Sequence, residues 1–146
     1  MPTKFSGKCR SGVTGLDEIL NGGLPQNHLY LLQGRPGTGK TTLALQFLLE
    51  GVRDGEKVLY VTFSETKMEL DAVAESHNWN LENIHILELS ALSSTMGNAS
   101  ENTLFHPSEI ELSQTIKVLF AKVEEIKATR VVFDSISELR LMAESS

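Results

Sequence analysis

Apolar residues fall in short blocks along this chain, and the spacing between them alternates between two periods. "HLYLLQG" (28–34), "KVLYVTF" (57–63), "IHILEL" (84–89) and "RVVFDS" (130–135) are brief, dense apolar runs. Runs of this length, bounded by glycine or polar residues, predict buried strands. Between them the period lengthens to three and four. Leu43, Ala44, Phe47, Leu48 and Val52 trace one stripe from Lys40 onward, closed by Asp54-Gly55. That pattern predicts a helix with a glycine just past its end. "TKMELDAVAESH" (66–77) predicts a second helix, broken at Asn78-Trp79-Asn80. Leu112, Ile116, Leu119, Phe120, Val123 and Ile126 predict a third, spaced as one helical face requires. Ser108 and Glu111, just after Pro107, have the spacing of a capping box and mark where that helix starts. The stretch 90–107 is rich in Ser, Asn, Gly and Thr and predicts a loop.

Strands this apolar, separated by helices, predict an α/β fold with a mostly parallel sheet covered on both faces. No internal repeat or Pro-rich linker divides the chain, so residues 1–146 read as one unit. A chain of 146 residues can bury roughly 70% of the surface its unfolded form exposes. Apolar residues make up 40% and charged residues 22%, which fits a globular protein and not a disordered one. No apolar run approaches the roughly 20 residues that cross a bilayer. The polar start, MPTKFSGKCRSG, has no apolar middle of a signal peptide.

Charge and cysteine usage narrow the function classes. Net charge is −6, from 13 basic and 19 acidic residues, and the basic residues are scattered. A surface that tracks nucleic acid needs clustered Lys and Arg, so nucleic acid is not an expected partner. Cys9 is the only cysteine; an internal disulfide is impossible and a cytoplasmic setting fits. The histidines at 28, 77, 85 and 106 are too dispersed for a structural metal set.

One motif carries chemistry. Gly34-Arg35-Pro36-Gly37-Thr38-Gly39-Lys40-Thr41 matches Gly-x-x-x-x-Gly-Lys-[Ser/Thr], follows a predicted strand and opens a predicted helix. Glycines in such a loop let the backbone adopt φ > 0 and come close to phosphates with no Cβ in the way. Successive N–H groups then face the phosphate oxygens, with the positive end of the helix behind them. Lys40 brings a point charge to the β- and γ-phosphates, and Thr41 offers a hydroxyl to Mg²⁺. Downstream, Val131-Val132-Phe133 deliver Asp134 to a strand's C-terminal end, where ligands bind in open parallel sheets. A carboxylate there can hold Mg²⁺ directly or through water.

These motifs sit in a familiar frame. "SGVTGLDEILNGGLP" (11–25) resembles the lead-in of KaiC-like ATPases, with Asn21 in what is usually a run of glycines. "TLALQFLLEG" (42–51), "EKVLYVTF" (56–63) and "RVVFDSISELRL" (130–141) follow that family in order and spacing. The resemblance implies a RecA-like P-loop fold, ATP with Mg²⁺, and a hexameric ring of copies with nucleotide between subunits. Signalling or clock-type protein partners belong to the same expectation. By the family's pattern Gly34, Pro36, Gly37, Thr38, Gly39, Lys40, Thr41 and Thr42 line the phosphates, and Asp134 with Thr41 serves the metal.

Residues 63–65 depart from the clock proteins, which carry two adjacent glutamates where this chain has Ser64-Glu65. Adjacent strand residues point to opposite faces, so Glu65 need not reach where a residue at 64 would. Two readings of Glu65 stand: the base that activates water, or an acid favouring the start of the next helix. The family's domain continues past the Asp134 strand, so the chain reads as the N-terminal portion of a longer ATPase domain. Within that frame the expected function is ATP binding with ATP hydrolysis in a complete ring. The alternatives are a KaiC-type protein kinase, a recombination accessory ATPase that binds DNA, and a nucleotide switch without turnover. No Asn-Lys-x-Asp motif for guanine occurs.

Overall fold

The computed structural model describes residues 7–89, 107–138 and 140. Its centre is a three-stranded parallel sheet in the order β4-β3-β5, built from β3 (Val58–Thr62), β4 (Ile84–Glu88) and β5 (Arg130–Asp134). Register sets Val58 opposite both Ile84 and Arg130, and Thr62 opposite both Glu88 and Asp134. All five residues of β3 are buried, as a central strand with helices above and below requires.

The two faces separate by parity along each strand. Val58, Tyr60, Ile84, Ile86 and Val132 face α2 (Lys40–Arg53) and α3 (Lys67–Ser76), packing with Leu45, Leu48, Leu70 and Ala74. Leu59, Val61, Leu87 and Val131 face the other way, against Leu119, Val123 and Ile126 of α4 (Pro107–Ile126). Each fully buried Leu or Val on these faces contributes about 1.5–3 kcal/mol relative to exposure.

Helix ends follow the sequence punctuation. After α2, Gly55 at φ 78 donates to Val52 O and Glu56 donates to Gly51 O, a Schellman closure that only a residue at ease in the left-handed region can make. Asn78, at φ 55, closes α3 in the same way, with Trp79 N–H on Ala74 O at 2.9 Å. The start of α3 is a capping box: Thr66 accepts from Glu69 N–H while the Glu69 carboxylate accepts from Thr66 N–H at 2.7 Å. α4 opens at Pro107, which puts Ser108 in its first turn; the expected capping pair of Ser108 and Glu111 lies outside the residues whose side chains are described. The expected loop lies outside the described residues, apart from Pro107, whose backbone opens α4.

The lead-in forms a small antiparallel ribbon, β1 (Lys8–Cys9) with β2 (Leu24–Pro25), around α1 (Thr14–Ile19). Asn21 stands at φ 52, a left-handed conformation that Asn tolerates better than other non-glycine residues, so it can stand in a glycine run. Gly23 has no such substitute: a Cβ there would lie 2.3 Å from Cys9 O. Arg130 ties the ribbon to the sheet. Buried at the start of β5, it forks onto both Glu56 carboxylate oxygens (3.0 and 2.8 Å). It also donates to Arg10 O (2.7 Å) and Phe47 O (2.9 Å), with its guanidinium 4.7 Å above the Phe47 ring.

One expected strand does not form. Residues 28–35 have no regular secondary structure, and Leu29 and Leu31 are 93% and 74% exposed. A strand exists only through a neighbour's ladder of hydrogen bonds, and among the described residues β5 pairs on one side alone, with β3. The apolar run prepares this segment for burial, but nothing described here supplies the pairing.

Candidate functional site at the strand ends

The site assembles where β3 and β5 end and α2 begins. The loop before α2 turns through Gly37 at φ 78 and Gly39 at φ 93, the latter being the N-cap residue of the helix. Thr38 bridges the loop, its hydroxyl donating to Arg35 O at 2.8 Å. A Cβ built on Gly37 or Gly39 would meet nothing within 4 Å. The space beside these residues is therefore open, and side chains are kept out of it by backbone conformation. Lys40 folds its ammonium back over this loop, donating to Gly34 O (2.9 Å) and Arg35 O (3.0 Å). A cavity of about 310 Å³, lined by Gly34, Thr38, Gly39, Lys40, Leu32 and Leu43, opens above it. The first-turn amides of α2, from Lys40 through Thr42, have no acceptor inside their own helix.

In the first turn of α2, Thr41 meets two carboxylates. Its hydroxyl donates to Asp134 Oδ2 at 2.8 Å and lies 3.5 Å from Glu65 Oε1. Asp134 sits at the last position of β5, so the strand's C-terminal end aims it at the start of α2; the peptide bond that follows it is cis. Tyr60, fully buried, donates to the same Asp134 oxygen at 2.5 Å. Register explains the reach: Tyr60 pairs with Val132, Thr62 with Asp134, so Tyr60 is the diagonal neighbour of Asp134 on one sheet face, and long aromatic side chains span that distance. Burial first, and the hydrogen bond to Asp134 second, drive the Tyr60 phenol far above its ordinary pKa of 10.0.

Glu65 reaches the site because the chain stops being a strand. β3 ends at Thr62, and Thr62 Oγ1 then accepts from Glu65 N–H and donates to Glu65 O, both at 2.9 Å. This clamp turns residues 63–65 back, so strand alternation no longer decides where Glu65 points. Ser64 is exposed, whereas Glu65 is half-buried. Its Oε2 is buried and has no hydrogen-bond partner among the described residues. Burial, with the Asp134 charge second, raises the Glu65 carboxyl above its ordinary pKa. The acid that caps α3 is Glu69.

Thr41, Glu65 and Asp134 thus come together, while Lys40 turns its ammonium onto the loop formed by Gly34, Gly37, Thr38 and Gly39; Pro36 lies on its exposed rim and Thr42 in the first turn of α2. Tyr60 and Thr62 escape a reading by motif. Their signal is parity: Thr62 faces Asp134 across the ladder, and Tyr60 lies two residues below it on the same face. Mg²⁺ is held by one or two carboxylates plus hydroxyl, phosphate and water oxygens. The residues present fit it. Thr41 spends its proton on Asp134 and keeps its lone pairs, and the unpartnered Glu65 Oε2 is an acceptor left for a bound water.

Comparison with known proteins places this geometry in context. The family model described as "ATPase: KaiC" matches residues 9–146. A UPF0273 protein of Methanopyrus kandleri is 33% identical over 137 residues, covering 90% of this chain and 54% of its own length. A UPF0273 protein of Saccharolobus solfataricus is 33% identical over 142 residues, 92% of this chain and 50% of its own. The circadian clock protein KaiC2 of Synechocystis is 35% identical over 133 residues, 90% of this chain and 23% of its own. The chain spans about half the length of the UPF0273 relatives it matches. Among the described residues no helix is long and apolar enough to cross a membrane.

Proposed function

The chain belongs to the KaiC family of ATPases, and from that membership we propose that it binds ATP with Mg²⁺ at the α2 N-terminus and takes part in its hydrolysis. The observation that carries this reading is the 2.8 Å hydrogen bond from Thr41 to Asp134 beside the glycine loop. It joins a helix start to a strand end 93 residues away, and each element brings one half of a Mg·triphosphate site.

In this reading Gly34, Pro36, Gly37, Thr38 and Gly39 wrap the phosphates, with the first-turn amides through Thr42 directed at their oxygens. Lys40 leaves the loop carbonyls it now bonds and moves its charge onto the β- and γ-phosphates. Mg²⁺, when bound, supplies the charge that neutralises those phosphates; Thr41 and Asp134 are the residues that would hold it. A phosphate loop reads phosphates and not the base, so the choice of adenine rests on the family. The test is binding of Mg·ATP to the full-length protein and to Lys40→Ala. A loss of tenfold or more in affinity is expected, and equal affinity would end the proposal.

Glu65 is the general base of this reading. A base must lie within about 3 Å of the water it activates, and Thr62 holds Glu65 facing the metal-side hydroxyl of Thr41. Glu65→Gln should lower turnover of the full-length protein by roughly 10²-fold or more; unchanged turnover removes Glu65 from this role. Family membership further supports a cytoplasmic ring of copies with nucleotide between them. Light scattering of the full-length protein with Mg·ATP should then give several protomers per particle, and a monomer at all concentrations would refute it.

A further inference from the structure

The hydrogen bond from Tyr60 to Asp134 is a polar contact at the strand ends that no motif explains. Its ring is fully buried in the core between α2 and the sheet, packed with Leu45, Leu48, Leu70 and Val132. A buried hydroxyl needs an acceptor, and Tyr60 takes Asp134 Oδ2, the same oxygen that Thr41 uses. Two donors, one from β3 and one from α2, therefore fix a single carboxylate oxygen.

Their settings differ. Thr41 sits half-buried on the first turn of α2, next to an exposed loop, whereas Tyr60 is fully buried on the central strand. A carboxylate on a strand end has free χ1 and χ2 torsions, and a metal site gains affinity when those torsions are fixed before the ion arrives. Phenylalanine at position 60 would fill the same core space, so packing alone does not account for a hydroxyl there.

We propose that Tyr60 is a positioning residue for the metal half of the site: its hydroxyl, anchored by the buried ring, holds the Asp134 carboxylate oriented toward Thr41, so that Mg²⁺ is taken up without reorganising the strand end. The proposal rests on the reading of Thr41 and Asp134 as the metal-holding pair. It assigns Tyr60 no contact with nucleotide and no share in proton transfer. Its consequence is confined to the metal. Removing the hydroxyl should weaken Mg²⁺ by about tenfold, the lower end of what loss of an outer-shell partner costs, and leave metal-free nucleotide affinity unchanged.

The test compares the full-length protein with Tyr60→Phe. Nucleotide affinity is measured in EDTA and across a Mg²⁺ titration, and Mn²⁺ uptake in the presence of ADP is followed by the loss of the free-ion electron paramagnetic resonance signal. Expected is a roughly tenfold rise in the metal concentration needed, for both ions, with affinity in EDTA unchanged. Equal metal dependence in the two proteins overturns the role of Tyr60 and leaves the nucleotide reading intact. A wild-type protein whose nucleotide binding does not respond to metal overturns both. A second measurement follows the tyrosine directly: in infrared difference spectra of protein with ring-labelled tyrosine, the phenol C–O band missing from Tyr60→Phe is that of Tyr60. Adding Mg·ADP should shift that band as the Asp134 acceptor takes up metal; a band that stays fixed while metal binds contradicts the proposal.

Discussion

Replacing Arg130 by Met should destabilise the protein more than almost any other single change remote from the site. The Arg130 side chain is 3% exposed and makes four hydrogen bonds, two to the Glu56 carboxylate and two to the carbonyls of Arg10 and Phe47. Met keeps much of the stem's volume, so the loss is electrostatic. Removing one partner of a buried ion pair costs about 3–5 kcal/mol, because the other charge stays behind unpaired. Glu56 is 23% exposed and water can partly solvate it, which places the expected cost at the low end, about 3 kcal/mol. For a chain near this size that lowers Tm by roughly 6–12 °C. Urea and thermal unfolding of wild type, Arg130→Met, Glu56→Gln and the double variant form a thermodynamic cycle. The double variant should lose less than the sum of the singles, by about 1.5 kcal/mol or more. A single-variant cost below about 1 kcal/mol, or strict additivity, would refute the argument that the buried fork onto Glu56 anchors the start of β5.

The cap of α3 offers two further outcomes. Thr66→Ala should cost about 1 kcal/mol of unfolding free energy, read in urea, and the effect should shrink but persist if Glu69 is already Ala, since Thr66 Oγ1 still accepts from the N–H of residue 69 while its own bond to the Glu69 carboxylate is gone. The amide and hydroxyl of Thr66 hold the Glu69 carboxyl below its ordinary pKa of 4.5. Its contribution is therefore complete above pH 4.5 and is lost as pH falls through the lower folded value. Glu69→Gln should flatten that part of the stability profile and leave its shape near pH 7 unchanged.

What the sequence made legible, and what it did not, divides along a physical line. The dense apolar runs and the three-and-four spacing located β3, β4, β5, α2, α3 and α4, because each of these elements buries residues that its own sequence encodes. Asp54-Gly55 and Asn78 marked helix ends because the left-handed cap is a local requirement. Residues 28–34 were as apolar as β3, yet a strand also needs a neighbour, and apolarity encodes readiness for burial and nothing about pairing. The glycine loop, Lys40 and Thr41 were readable since their spacing is local. Asp134 could be named as a candidate, but its distance to Thr41 is a property of the fold. Tyr60 stayed hidden for the same reason: its contact with Asp134 spans 74 residues and depends on the register between β3 and β5. For Glu65 two readings stayed open, because strand alternation carries no information on where its side chain points once the Thr62 clamp ends the strand three residues before it.

The central claim is that Thr41 and Asp134 together hold a metal over the glycine loop. A crystal of the full-length protein grown with ADP and Mn²⁺ tests it most directly, since Mn²⁺ is visible by anomalous scattering. The account predicts an anomalous peak within coordination or one-water distance of both Thr41 Oγ1 and the Asp134 carboxylate, with the β-phosphate against the amides of residues 37–41. Nucleotide bound elsewhere, or a metal peak remote from both side chains, would contradict it.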